Sequence, residues 1–295
     1  MRVLIVGCGY VGLPLGKELA QLGHEVFGLR RSALAAGEMQ AAGIHPLLAD
    51  VTQPESLTKL PRNFDWVVNC TASGGGGAED YRKIYLMGNR NLIAWLAGSP
   101  LKKFIYTSST SVYAQNDGSV VTENSPAKPD AATTQVLVET EKLLLTAVAE
   151  RKFPAVILRV AGIYGPGRGH SFKQFLRGEA RIEGDGARWL NMIHRDDVVG
   201  AIIAALERGT PGEIYNAVDN EPVSQLNFFE WLAAELQKPL PPKVTADAGR
   251  KRGVTNKRVS NAKLVAELKC RLQFPDFRAG YAAELRRMAA ENFPV

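Results

Sequence analysis

The fold class written in this sequence is α/β: a doubly wound parallel sheet carrying a smaller C-terminal α/β unit. Three observations predict it. Short apolar runs alternate with stretches of helical periodicity through the first 160 residues. Those runs are continuously apolar rather than alternating with polar residues, as strands covered on both faces require. A glycine-rich turn, Gly7-Cys8-Gly9-Tyr10-Val11-Gly12, joins the first apolar run to the first helical stretch.

Val3–Val6 reads as the first strand, and Tyr10–Leu22 as a helix with Val11, Leu15, Leu19 and Leu22 on one face, stopped by Gly23. Glu25–Leu29 is the second strand, Ala33–Ala42 a helix ended by Gly43, and Pro46–Ala49 the third strand. Trp66–Cys70 is the fourth. Tyr81–Leu96 is a helix, Phe104–Thr107 a strand, Val136–Ala149 a helix, and Ala155–Val160 a strand. Beyond Val160 the texture changes: Gly162–Gly169 is rich in Gly and Pro, and apolar runs shorten. Helices are expected over Asp196–Leu206, Leu226–Leu236, Asn261–Leu268 and Asp276–Ala290, with a returning strand at Glu213–Ala217. The run Gly74–Gly77 reads as a mobile loop at a strand's C-terminal end, where open α/β sheets bind ligands.

Composition narrows the classes further. Of 295 residues, 45% are hydrophobic and 22% charged, enough apolar surface for a core and too much for a disordered chain. No run of about 18 apolar residues is present, so no membrane span is expected. The apolar start is too short for a signal peptide and reads as a buried strand. Three widely spaced cysteines and four His without paired spacing make neither a disulfide framework nor a metal site, and a cytoplasmic location is expected. The net charge of +6 is local: residues 243–287 hold 12 Lys/Arg against 4 Asp/Glu. Aromatics are not interleaved there to stack bases, so a solvated basic face, or a wall attracting a phosphorylated ligand, is expected rather than a nucleic-acid partner.

The glycine turn fits G-x-G-x-x-G in its confirming context, after a strand and opening a helix. Gly7 permits the tight turn, Gly9 lets backbone approach a pyrophosphate, and Gly12 brings helix and strand together. Free N–H groups at Tyr10, Val11 and Gly12 then face the diphosphate, while Cys8 packs as a small residue. This makes the sheet Rossmann-type. At the end of the second strand stand Arg30-Arg31-Ser32, where a carboxylate would accept from ribose hydroxyls. Guanidinium forks pair with a 2′-phosphate, so NADP(H) is the expected coenzyme, with NAD(H) the alternative. Asp50 and Val51 are placed to meet adenine, and Thr71, Ala72 and Ser73 to line the nicotinamide ribose.

These features, with Thr107-Ser108-Ser109-Thr110-Ser111-Val112-Tyr113, Leu158-Arg159-Val160-Ala161-Gly162-Ile163-Tyr164-Gly165-Pro166-Gly167, Met192-Ile193-His194-Arg195-Asp196-Asp197-Val198 and Ile214-Tyr215-Asn216, resemble the extended short-chain dehydrogenase/reductase family over nearly the whole chain. That family includes NAD(P)-dependent epimerases and dehydratases, and the texture is similar to its atypical YeeZ-like branch. The resemblance implies a Rossmann domain over 1–160 and a mainly substrate-binding subdomain over 161–295, with 190–217 returning to the Rossmann core. It also implies that Ser109 hydrogen-bonds the substrate oxygen, and that a homodimer forms through two helices per subunit. The family's Tyr-x-x-x-Lys pair falls on Thr133 and Leu137, which can neither donate a phenolic proton nor carry charge. The available substitute acids are Tyr113, four residues beyond Ser109, and Tyr85, Tyr81 and Tyr164, with Ser109, Thr110 and Ser111 as hydroxyl donors. Tyr85, Gly162, Arg168 and His194 are the candidate substrate contacts. Arg195 reads as a structural ion pair, and Asp196 and Asp197 as capping and charging their helix.

Two readings follow. One is an NAD(P)-dependent oxidoreductase or epimerase/dehydratase-like enzyme acting on a small hydroxyl, carbonyl or sugar-derived substrate. The other is a non-catalytic dinucleotide-binding sensor or partner-binding module.

Overall fold

The computed structural model describes residues 1–245 and 255–291. Arg250, Lys251 and Arg252 of the basic segment lie outside the described residues. Seven parallel strands form the central sheet: β1 (Arg2–Val6), β2 (Glu25–Arg30), β3 (Ile44–Leu48), β4 (Trp66–Asn69), β5 (Lys103–Ser109), β6 (Ala155–Val160) and β7 (Ile214–Ala217). Their spatial order is β3-β2-β1-β4-β5-β6-β7. The chain first winds outward from β1 and then returns to lay β4 against it, so the order reverses between β1 and β4. A crevice at the carboxyl ends of the strands is the geometric consequence.

Both faces of the sheet are covered. On β6 every residue is buried, which is why its sequence shows no alternation. The helices longer than four residues are α1 (Gly12–Gln21), α2 (Ala36–Ala41), α3 (Ala78–Tyr81, continued by Arg82–Met87 and Gly88–Trp95), α4 (Ala132–Arg151), α5 (His170–Leu176), α6 (Arg195–Arg208), α7 (Gln225–Leu236), α8 (Ala262–Leu268) and α9 (Phe277–Ala290). The middle of α3 is π-helical. Such a widened turn is frequent at functional sites; Tyr81 just before it and Tyr85 within it are both buried, their rings edge to face with centroids 5.0 Å apart.

The larger core fills the space between sheet and helices and also takes in Val259, Leu264, Leu268 and Cys270 from near the C-terminus. A second core is strongly aromatic, built on Tyr164, Phe172, Phe175, Phe228, Phe229, Phe277 and Tyr281. It forms a smaller lobe above the carboxyl ends of β5 and β6. The short parallel strands Gly162–Tyr164 and Met192–His194 stitch the two lobes together. Among the described residues no helix is long and apolar enough to cross a membrane.

Candidate active site

A cleft of about 980 Å³ opens at the carboxyl ends of the strands, walled by the sheet on one side and the small lobe on the other. Its floor is the glycine turn. Gly7 has φ +85°, and a side chain there would sit 2.7 Å from the Thr71 amide nitrogen. The Gly7 and Cys8 N–H groups donate to the Leu29 carbonyl at 3.1 and 3.3 Å, and Gly9 N–H donates to the Gly7 carbonyl at 2.7 Å. The N–H groups of Tyr10, Val11 and Gly12 have no such partner among the described residues. The N-cap Val11 supplies no side-chain acceptor, and no acidic residue stands in the first turn of α1. A helix start left in this way presents free donors and a positive dipole end. A Cβ on Gly12 would lie 2.6 Å from the Gly7 carbonyl oxygen, whereas one on Gly9 would meet nothing nearer than 4.0 Å. Helix and strand are therefore pressed together at Gly12, and the open space beside Gly9 fits a diphosphate. Cys8 lends only its backbone, since its side chain is buried behind the turn. Burial pushes its thiol up to about 11 against the opposing pull of Arg30.

Arg30 and Arg31 line one end of the cleft, with Asp50, Val51 and Thr52 across from them. Asp50 Oδ1 accepts from the Thr52 N–H at 2.9 Å, which fixes this turn. Ser32 does not line the cleft; its hydroxyl accepts from the Leu34 N–H at 3.3 Å on the surface. Further along, Thr71 and Ala72 line the wall. Thr71 is held by the buried Asn69, whose Oδ1 accepts its N–H at 3.2 Å and its hydroxyl at 2.9 Å. Ser73 lies just outside and donates its N–H to the Tyr85 hydroxyl at 3.1 Å.

At the far end Ser109, Thr110, Ser111 and Tyr85 face the cleft. Ser109 Oγ accepts from the Ser111 N–H at 3.2 Å, which leaves the Ser109 proton free to donate. The Ser111 hydroxyl is buried without a hydrogen-bond partner. Leu137 lines the same wall, with Thr133 buried one turn earlier on α4. Gly162 and Arg168 border the cleft as expected, the Arg168 guanidinium lying 5.0 Å from the centre of the Tyr10 ring.

Besides Ser32 and Ser73, two more expected site residues lie away from the cleft. Tyr113 is fully buried, 0% exposed, and does not reach the cleft. Its hydroxyl donates to Asn216 Oδ1 at 2.8 Å and accepts from Arg159 at 2.8 Å, and burial raises its pKa. A phenol so committed cannot serve as the acid, because strand β5 ends in a 3₁₀ turn, Thr110–Val112, that swings Tyr113 inward. His194 is 2% exposed and caps α6, its Nδ1 accepting from the Asp196 N–H at 3.2 Å. It is a structural residue rather than a substrate contact. Asp197 correspondingly caps nothing: its carboxylate accepts from the Gln273 and Phe274 N–H groups at 2.5 and 3.0 Å. Arg195 does pair with Asp196, at 2.8 Å.

Three residues that sequence reasoning passed over shape the site. Arg159 on β6 and Glu141 on α4 form a buried ion pair at 2.7 Å, and Ser108 donates to the same carboxylate at 2.5 Å. This network anchors the end of β5, from which Ser109 projects. Lys257 lines the cleft from the small-lobe side. Only the alternation of one charged residue with an all-apolar strand, Arg159 in Ala155–Val160, signalled any of this in the sequence.

The comparisons with known proteins agree with this geometry. Residues 3–217 match the NAD dependent epimerase/dehydratase family, and the chain belongs to that family. Protein YeeZ of Escherichia coli (strain K12) is 28% identical over 284 residues, which cover 93% of this chain and 97% of that protein. A solved structure of a putative NAD-dependent epimerase/dehydratase from Methylobacillus flagellatus is 34% identical, with a TM-score of 0.77 and 98% of each chain covered. The UDP-glucuronic acid 4-epimerase of Bacillus cereus in complex with NAD, 23% identical, shares the fold with a TM-score of 0.84 over 100% of each chain.

Proposed function

We propose that this protein is an NADP(H)-preferring oxidoreductase or epimerase/dehydratase-like enzyme acting on a hydroxyl or carbonyl centre of a small or sugar-derived substrate. The observation that carries the reading is the continuity of one cleft from an uncapped helix start to a serine hydroxyl at the end of β5. The donors of Tyr10, Val11 and Gly12 fit the diphosphate, and the preference for the 2′-phosphate rests on Arg30 and Arg31 where β2 ends without a carboxylate. A bound nicotinamide supplies or takes up a hydride. Ser109 holds the reacting oxygen through its free proton, and among the phenols that line the cleft (Tyr10, Tyr81, Tyr85, Tyr164 and Tyr281) we assign the proton to Tyr85, whose hydroxyl is oriented by the Ser73 N–H.

A second reading is favoured by one observation. Leu137 lines the cleft and Thr133 is buried one turn before it, and the family resemblance puts its Tyr and Lys on these two positions, which supports a non-catalytic coenzyme binder as the alternative. General acid/base groups contribute about 10²–10⁴-fold to rate, and their lack would leave binding intact. The two readings separate on NADPH oxidation measured across a broad carbonyl panel. Turnover that disappears in Ser109→Ala while NADPH affinity holds supports the enzyme. Tight NADPH binding with no oxidation of any panel member supports the binder.

A further inference from the structure

Every charged side chain that lines the cleft is cationic except Asp50: Arg30, Arg31, Arg168, Lys173, Arg188 and Lys257. Arg30, Arg31 and Asp50 stand together at the ends of β2 and β3, while the other four belong to the small-lobe side. Of these, Lys257 is the most deeply placed, 5% exposed.

Its position is over-determined by the backbone around it. Asn191 Nδ2 donates to the Lys257 carbonyl at 2.9 Å, and Asn191 Oδ1 accepts from the Val259 N–H at 2.7 Å. Asn256 takes the Trp189 N–H on its side chain at 2.9 Å and the Gly118 N–H on its carbonyl at 2.8 Å. Arg258–Val259 then pairs in parallel with Val120–Val121. The Lys257 ammonium donates to the Tyr113 carbonyl at 2.9 Å and to the Thr255 hydroxyl at 3.0 Å. Both acceptors are neutral, and no carboxylate is within ion-pair reach among the described residues. An ammonium has three donors, so one remains, on a residue that borders the cleft. A buried cation without a counter-charge is costly, and burial alone pulls this one down to about 8. An anion entering the cleft would remove that cost.

We propose that Lys257 is a substrate-binding residue whose third N–H takes an anionic oxygen, carboxylate or phosphate, of the molecule that occupies the small-lobe side of the cleft. The Tyr113 carbonyl ties this ammonium to the chain four residues beyond Ser109, and Ser109 and Lys257 line the same cleft, which suits one ligand carrying both the anion and the reacting oxygen. This deepens the reading above and rests on it, because it takes the opposite end of the cleft to be filled by coenzyme.

The test is calorimetric titration of the NADPH-saturated protein with inorganic phosphate and, separately, with malonate. Saturation blocks the helix start and the Arg30–Arg31 end, so residual anion binding reports the small-lobe side. Wild type is expected to bind at least one of the two anions, and which one it prefers assigns the phosphate or carboxylate source. In Lys257→Gln, which keeps a donor for the Tyr113 carbonyl but no charge, that affinity is expected to fall at least tenfold while NADPH affinity is unchanged. Lys257→Met is expected to lose anion binding in the same way, and provides the second variant if the first folds poorly. Anion affinity unchanged in the variants, or neither anion bound by wild type, overturns the proposal. Failure of NADPH to bind would instead defeat the coenzyme reading, and the same anion titrations on the free protein would still decide the role of Lys257.

Discussion

At the scale of single residues, two glycines three positions apart respond in opposite ways to an added methyl group. Gly12 has no room for a methyl group, so Gly12→Ala is expected to destabilise the fold by roughly 1–3 kcal/mol through overpacking, read from denaturant unfolding. Gly9 has room, so Gly9→Ala is expected to keep its midpoint yet bind NADPH more weakly by about tenfold or more, because the methyl enters the space the diphosphate needs. Replacing Arg30 or Arg31 by Ala is expected to weaken NADPH by about 1.5–3 kcal/mol, the range for hydrogen bonds to charged groups, and to leave NADH affinity almost unchanged. Equal loss for both coenzymes would place the arginines away from the 2′-phosphate. The glycine roles were legible in the sequence because a spacing motif encodes backbone geometry directly. Tyr113 was not, since its fate depends on the Arg159 and Asn216 side chains, brought to it from 46 and 103 residues away. Lys257 was hidden for a related reason: it stands in a run of cations that looks like a solvated surface.

At the scale of elements, apolar continuity located the strands well. Ala155–Val160 matches its expected bounds to the residue. β3 was expected to begin at Pro46 but runs Ile44–Leu48, passing through the proline, which is tolerated because β3 is the last strand of the sheet. Helix α4 begins at Ala132, a turn before the expected Val136, since its N-cap Ala131 offers no side-chain signal and Thr133 and Thr134 disguise the first turn. The bond between α4 and β6 is the buried pair Glu141–Arg159. Glu141→Ala would leave the guanidinium buried without a counter-charge, and a loss of about 3–5 kcal/mol in unfolding free energy is expected. A change below about 1 kcal/mol would mean that water reaches Arg159 and that the network does not anchor β5.

At the scale of the whole molecule, two cores flank one cleft, and the sequence showed the change of texture at Val160 but not the return of Val259–Cys270 to the larger core. That return carries Lys257 to the cleft wall, a long-range consequence that no local periodicity encodes. Burial also sets the chemistry of the three thiols: Cys8 and Cys270 are pushed up to about 11 and Cys70 to about 12. Thiolate is the reactive form, so the folded protein is expected to resist a disulfide reagent at pH 7, with all three cysteines reacting on unfolding. Coenzyme should strengthen that resistance, because a ligand at 100 times its Kd adds about 2.7 kcal/mol to the folded state. Coenzyme binding depends most on the phosphate cradle at the start of α1. Titration calorimetry with NADPH, NADP, NADH and NAD addresses it directly: binding at one site per chain, tighter for the phosphorylated pair and lost in Gly9→Ala, is the result expected, whereas no heat and no thermal protection from any of the four would contradict it.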